Sequence, residues 1–407
     1  MLMALEQGVK GGVWFSLVDK VYALPTLRAA FTRVKANHGA AGVDHHTIAM
    51  YETRLEANLA ELSTSLRTGT YRPQGIRRHW IDKPGSAEKR PLGIPTVRDR
   101  VVQTALRLVL EPIFERDFAA HSYGFRPQRS AKDALRRVDA LLKAGYVHVV
   151  DADLQAYFDS IPQPPLRARM HTKVRDGRVL GLLDAFLSQE IFDALAHWTP
   201  ETGTPQGAVI SPLLANVFLD PLDHAMAGQG FEMVRYADDL VVLCRTPADA
   251  ARALTALRDW TDAAGLRLHP QKTRLVDATQ PGGFDFLGYH FERGYRWPRT
   301  KSLTKLKDTL RVKTRRTHGH SLAVIIDEVN RTLQGWFGYF QHSHVTTFAP
   351  LDAWVRMRLR SILRKRRGRR GRGRGADHQR WPNAFFAGQG LYSLVTAHAL
   401  AHQSSMR

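Results

Sequence analysis

Phe231-Glu232-Met233-Val234-Arg235-Tyr236-Ala237-Asp238-Asp239-Leu240-Val241-Val242-Leu243-Cys244 is the stretch on which the fold turns. Its two ends, Phe231–Arg235 and Leu240–Cys244, are β-type runs of strand length. Only Tyr236–Asp239 lies between them, so the segment reads as strand, tight turn, strand. Two adjacent aspartates at the tip of such a unit repel one another. A divalent cation removes that conflict, and all-oxygen ligands make Mg²⁺ the natural choice.

A second acidic block answers the first. Asp151-Ala152-Asp153-Leu154-Gln155-Ala156-Tyr157-Phe158-Asp159 comes after the apolar run Tyr146-Val147-His148-Val149-Val150. If the two strand systems are neighbours, acids at the end of this run face the Tyr236–Asp239 turn. Asp153 and Asp238 would then bridge a pair of metals, with Asp239 close by. Such a pair activates a hydroxyl nucleophile on one side and holds a triphosphate with its leaving pyrophosphate on the other. The plainer alternative is that Asp151 and Asp153 end a strand and cap the next segment.

Composition points the same way. With 59 Lys and Arg against 38 Asp and Glu, the chain carries a formal charge of +21. A polyanionic partner is implied, most simply nucleic acid held through its phosphates. A generic basic protein has the same charge but no need of the acidic blocks. At 407 residues the chain is long enough for two or more subdomains. Its one cysteine, Cys244, excludes an intrachain disulfide framework and Cys-x-x-Cys zinc sites, and it fits a reducing compartment. No apolar run is long enough to span a membrane, and the N-terminus lacks a basic flank followed by an apolar signal core. A cytoplasmic protein with no membrane partner is expected.

The ordered motifs carry a resemblance. Gly39-Ala40-Ala41-Gly42-Val43-Asp44 comes first, then Lys83-Pro84 with Lys89-Arg90-Pro91-Leu92-Gly93-Ile94-Pro95, and Ser122-Tyr123-Gly124-Phe125-Arg126-Pro127. After the Asp153–Asp159 block come Gly203-Thr204-Pro205-Gln206-Gly207, Ile210-Ser211-Pro212-Leu213-Leu214-Ala215-Asn216, the Tyr236 turn, His269-Pro270-Gln271-Lys272-Thr273 and Phe286-Leu287-Gly288. In this order they resemble the reverse transcriptases, and within them the bacterial group II intron-encoded reverse transcriptase/maturases. Leu333-x-Gly335-Trp336-x-x-Tyr339-Phe340 resembles the maturase X domain.

That resemblance implies an α+β right-hand polymerase with fingers, a palm carrying an antiparallel sheet, and a helical thumb or X domain. On it, residues 1–144 are an N-terminal extension and fingers. Residues 145–295 are palm, with a finger insertion around 165–200. Residues 296–363 are thumb, 364–375 a basic Arg/Gly linker, and 376–407 a small C-terminal element. The implied activity is RNA-directed DNA synthesis from a DNA primer on an RNA template, using deoxynucleoside triphosphates and two Mg²⁺, or Mn²⁺ in their place. The metal set would be Asp153, Leu154, Asp238 and Asp239. Binding of group II intron RNA, to assist splicing and retromobility, is implied as well, in a bacterial cytoplasm and in association with nucleoid or ribonucleoprotein. Two other roles stay open: a maturase that acts mainly by binding RNA, and a domesticated enzyme of phage defence or CRISPR spacer acquisition. The family often adds a His-Asn-His endonuclease; with no Cys-x-x-Cys pairs after the thumb, none is expected here.

The resemblance also implies individual roles. Lys83 and Arg90 sit on an expected hairpin, Ile76–Ile81 with Arg90–Ile94, where they would close over a triphosphate; a solvated charged hairpin is the alternative. By resemblance Phe158 lies under the nucleotide sugar as a gate against ribose, while Tyr157 or Phe158 could equally be core. Gln206 and Gly207 would contact nucleotide or template. Lys272 would protonate the leaving pyrophosphate, and Phe286, Leu287 and Gly288 would be the primer grip. Arg126 is placed near template by its motif. Arg356, Arg360 and Arg364 lie on the polar side of an amphipathic helix carrying Leu351, Val355, Leu359 and Ile362. With Lys365, Arg366, Arg367, Arg369 and Arg370 they are the expected nucleic-acid contacts, the Arg/Gly run being a flexible arm that orders on binding.

Overall fold

The apolar runs on either side of the Tyr236–Asp239 turn pair as strands. The computed structural model describes residues 12–82, 89–193 and 196–405, with side chains described through 403. Lys83 and the expected Pro84-Gly85-Ser86 turn lie outside the described residues. The chain divides into two compact units, Met1–Val276 and Asp277–Arg407.

In chain order the first unit holds β1 (Ile76–Asp82), β2 (Lys89–Ile94), β3 (His148–Asp153), β4 (Ile191–Asp193), β5 (Ala196–Trp198), β6 (Glu232–Tyr236), β7 (Asp239–Cys244) and, running to its boundary, β8 (Arg274–Asp277). One sheet has the order β2-β1-β4-β5. Its β1–β2 hairpin is antiparallel, from Arg77 opposite Ile94 to Asp82 opposite Lys89. The other has the order β6-β7-β3-β8, with β7 antiparallel to both β6 and β3. Val149, Val150, Leu240, Val241 and Val242 at its centre are fully buried. The acids Asp151 and Asp153 fall inside β3 rather than beyond it, because β7 goes on pairing with this strand as far as Asp239.

Helices cover the sheets. Val97–Glu115, expected from the spacing of Val102, Leu106, Val109 and Ile113, is buried on nearly all sides. Ala131–Lys143 starts at a capping box in which Ser130 and Asp133 bond reciprocally. Ser211–Gly228 begins with Pro212 in its first turn, where the missing N–H costs nothing. Leu106, Leu110, Leu214, Phe218, Leu222 and Leu257 join β3 and β7 in one continuous core.

The second unit opens with a meander of β9 (Phe284–Phe286), β10 (Tyr289–Glu292) and β11 (Tyr295–Pro298), in the order β11-β10-β9. The helices Thr300–Lys313, Leu322–Phe340 and Phe348–Arg366 come next. The meander packs on the second of these. Tyr289 donates its hydroxyl to the Tyr339 carbonyl at 2.7 Å, and Tyr339 donates to the Leu287 carbonyl at 2.7 Å. This is why the division falls after Val276 and not at residue 295. The C-terminal segment shares the helical core instead of standing apart, with Phe386 and Leu394 fully buried among Leu333, Val355 and Leu359.

The Arg/Gly run is a folded loop, not the flexible arm its composition suggests. The helix continues through Arg364-Lys365-Arg366, and Gly368 and Gly371 then take φ of +73° and +89°. Arg364 donates to the buried Asp377 and to the Arg370 carbonyl, while Asp377 also accepts the Arg374 N–H at 3.0 Å. Among the described residues no helix is long and apolar enough to cross a membrane.

Candidate active site

Register brings the acids together. In the sheet Asp153 stands directly opposite Asp239, and Tyr236 closes the turn against Asp239 from the other side. Ala237 takes φ of +60°, the left-handed conformation that a two-residue hairpin turn demands and glycine usually supplies. An L-residue there costs about 1–2 kcal/mol, so the turn is held by something other than its own preference. Burial raises the Asp238 carboxyl above its ordinary range, the Asp153 charge adds to this, and Arg90 and Lys272 oppose it. Four of the expected residues, from β2, β3, the turn and the loop after helix Pro247–Ala263, thus feel one another electrostatically.

Lys272 is aimed by its own loop. His269 donates its N–H to the Asp153 carbonyl at 2.8 Å, and Lys272 donates its own to the His269 carbonyl at 3.2 Å. The Lys272 ammonium then reaches Asp153 Oδ2 at 2.6 Å. Beside it Arg274 donates to Asp151 Oδ2 at 3.0 Å. Among the described residues no group of three or more His, Cys, Asp or Glu side chains is drawn into a metal cluster as it stands. The donor chemistry nevertheless fits a hard divalent cation: anionic oxygens on a strand and a turn, one of them destabilised by its neighbour's charge. Leu154 is buried and can offer only its backbone carbonyl.

The Gly203–Gly207 loop packs on the segment that follows β3. Gly203 and Thr204 donate their N–H groups to the carbonyls of Ile161 and Phe158 at 2.8 and 2.7 Å, which pins the Phe158 backbone. Of the aromatic pair, Tyr157 is core, fully buried with its hydroxyl on the Ala215 carbonyl at 2.6 Å, while Phe158 stays half-buried. Gln206 donates its amide to Asp159 at 2.9 Å. Its carbonyl accepts the Gly93 N–H at 2.6 Å, which ties this loop to β2. Gly207 has φ of +100°, and a Cβ there would meet the Gly93 carbonyl oxygen at 2.4 Å. Phe125, which sequence reasoning passes over, brings its half-exposed ring to 6.2 Å from that of Phe158. Its place in the Ser122–Pro127 motif is the available signal.

Other expected contacts stand elsewhere. Arg126 is a correction: it is buried, gripping Glu115 at 2.7 and 2.9 Å and the carbonyls of Ala119 and Ser122, so it braces a loop and has no donor to offer a template. Arg360 is a second one: it is 4% exposed, donates to the Trp381 carbonyl and to Asn383, and lies over Phe386. It fastens the C-terminal segment. Arg364, tied to Asp377, is half-buried, as is Arg356. Lys365, Arg366, Arg367, Arg369 and Arg370 are exposed and point a cationic loop at solvent. In the second unit Phe286 is buried, and the Leu287–Gly288 turn, with φ of +47° and +85°, is half-exposed.

An antiparallel sheet with acids paired across β3 and β7, followed by a helical unit, is the α+β architecture of the right-hand polymerases. Residues 81–291 match the family described as reverse transcriptase (RNA-dependent DNA polymerase), and residues 303–381 match the group II intron, maturase-specific domain. The chain belongs to the reverse transcriptase family, in its group II intron-encoded reverse transcriptase/maturase branch. Group II intron-encoded protein LtrA of Lactococcus lactis subsp. cremoris is 39% identical over 168 residues, 41% of this chain and 28% of that one. Protein YkfC of Escherichia coli K12 is 32% identical over 291 residues, 62% of this chain and 76% of that one. A solved chain of a partial Cas6-RT-Cas1–Cas2 complex has a TM-score of 0.38 and 23% identity, covering 61% of this chain and 41% of that one.

Proposed function

We propose that the chain is an RNA-directed DNA polymerase that extends a DNA primer on an RNA template with deoxynucleoside triphosphates. We also propose that it binds group II intron RNA to assist its splicing and mobility. The observation that carries the first reading is the Asp153–Asp239 register, with Asp238 next to Asp239 in the turn and Lys272 on Asp153. Asp153, Asp238 and Asp239, with the Leu154 carbonyl, are the oxygens that would hold two Mg²⁺, or Mn²⁺. Bound there, the ions supply Lewis-acid activation and charge neutralisation.

The chain's own groups do the rest. Arg90, extending from β2, grips the triphosphate, and Lys272 delivers a proton to the departing pyrophosphate. Phe158, its backbone pinned by Thr204, excludes a ribose 2′-hydroxyl, and Gln206, on the Gly203–Gly207 loop, contacts nucleotide or template. For the RNA-binding role, the support is the maturase-domain match over residues 303–381 and the exposed Lys365–Arg370 cations.

Primer extension on an RNA template tests this, with Mg²⁺ omission and Asp238→Asn as controls. Metal-dependent extension lost in the variant is expected. Folded wild-type protein that binds intron RNA but extends nothing would leave the binding maturase as the function.

A further inference from the structure

Beneath the Tyr236–Asp239 turn lies a polar network that no substrate contact explains. Arg235 is 1% exposed. Its Nε donates to the two Asp223 carboxylate oxygens at 2.8 and 3.1 Å, and Nη2 donates to Oδ2. Nη1 donates to Asn216 Oδ1 at 3.0 Å and to the carbonyl of Ala237, inside the turn, at 2.9 Å. Asn216, also 1% exposed, passes the connection on, donating its amide to the Gly124 carbonyl at 2.8 Å. Gly124 in turn lies flat against the turn, where a Cβ would come within 2.2 Å of the Ala237 nitrogen. Backbone bonds complete the joint: Tyr123 donates to the Arg235 carbonyl at 2.8 Å, and Arg235 donates to that of His121 at 3.0 Å.

Three segments distant in sequence therefore converge on one turn: the loop 121–124, the helix Ser211–Gly228 and β6. A buried arginine–aspartate pair is weak evidence for stability, since apolar residues of similar volume pack as well or better. Apolar residues cannot, however, hold a carbonyl. Arg235 fixes the Ala237 peptide in its left-handed conformation, and the direction of that peptide sets where the next two side chains point. We infer that Arg235, Asp223 and Asn216 are positioning residues that aim the Asp238 and Asp239 carboxylates as metal ligands. The consequence for turnover rests on the polymerase reading; the consequence for metal binding does not.

The test uses the full chain with Asn216→Leu, which keeps the branched shape and removes both hydrogen bonds. Arg235→Lys serves as the second variant, because it keeps the charge opposite Asp223 but cannot also reach Asn216 and Ala237. Mn²⁺ binding is read by electron paramagnetic resonance, with Asp238→Asn defining the signal from the turn. Primer extension is read as kcat, KM and half-saturating Mg²⁺. In a variant that retains a cooperative melt, Mn²⁺ affinity is expected to fall about 10–100-fold, half-saturating Mg²⁺ to rise in step, and KM for primer–template to stay unchanged. Lower melting temperature with wild-type Mn²⁺ affinity and wild-type Mg²⁺ dependence would overturn the inference and leave the network purely structural. Loss of Mn²⁺ from the variants, in a protein whose wild type binds Mn²⁺ but extends no primer, would sustain it while removing the polymerase reading.

Discussion

Removing one partner of the Arg235–Asp223 pair has a cost that the geometry allows to be worked out. Asp223 is 5% exposed and Arg235 1%, and three short bonds join them. Asp223→Leu leaves a guanidinium buried without its counter-charge, which costs about 3–5 kcal/mol. For a unit of this size each kcal/mol moves the midpoint by about 2–4 °C. The melt should therefore fall by roughly 6–20 °C, by the same arithmetic. Arg235→Met strands a carboxylate and should cost a similar amount. The double variant strands no charge, only the acceptors of Asn216 and Ala237, at about 1–3 kcal/mol each. Together the two acceptors cost about 2–6 kcal/mol, so the double variant should lose clearly less than the sum of the two single losses. Thermal and guanidinium unfolding of the four proteins closes the cycle. If the two single losses simply add, to within about 0.5 kcal/mol, the residues are not coupled and the argument for mutual burial fails. Primer extension should stay low in the double variant even where stability returns, because methionine gives the Ala237 carbonyl no donor.

Other residues give outcomes of their own. Lys272→Met removes a pair whose lysine is 60% exposed, so stability should change by less than about 1 kcal/mol while primer extension drops at least tenfold; unchanged extension would remove the lysine from the chemistry. Phe158→Val keeps the backbone bond from Thr204 and opens the space above the ring, so relative ribonucleotide incorporation, read as a ratio of kcat/KM values, should rise about tenfold or more. Arg360→Ala should lower the melting point of the second unit and leave the salt dependence of RNA binding alone, whereas Arg369→Ala should reduce the slope of log K against log salt by about one and leave the melt alone. Asp176 supplies a pH dependence. Its burial would raise the carboxyl, but four N–H groups, from Leu17, Val18, Val179 and Arg178, together hold it below 3.8. A depressed folded value means the contribution is present above 3.8 and is lost as pH falls through the lower folded value. Asp176→Asn should flatten the acid limb of a stability–pH curve, and an unaltered limb would show that Asp176 contributes nothing to it.

Much of the site is legible because its residues announce themselves locally. Asp238 and Asp239 occupy a turn between two apolar runs, so a strand must lie on each side. The strand before Asp153 is equally apolar, so register alone brings the acids face to face once β3 and β7 pair. Lys272 stands just past a His-Pro turn, four residues after the last hydrophobic residue of its segment. Charge without a local partner is harder to read. Arg126 and Arg360 look like solvated or RNA-facing cations in sequence, since nothing beside them neutralises them. Their partners come from other segments: Glu115 for the first, Trp381 and Asn383 for the second. The Arg/Gly run misleads for the same reason, because its composition omits Asp377, whose buried carboxylate folds the loop.

Arg235 is the sharpest instance. It sits in a run of strand formers and next to the most conspicuous motif of the chain, yet its work depends on Asp223 and Asn216 of a helix and on a carbonyl two residues ahead. An arginine in a strand flanked by valine and tyrosine must either find an acid in the core or face water. Here both faces of the strand are covered: Met233, Val234 and Arg235 are all buried, and Arg235 stands opposite the fully buried Leu240 of β7. That placement alone required a buried acid within reach, and the helix Ser211–Gly228 has Asp220 and Asp223 on offer. Burial expected on both faces of a central apolar strand, applied to charged residues as strictly as to apolar ones, separates the arginines that hold the fold from those left to meet phosphate.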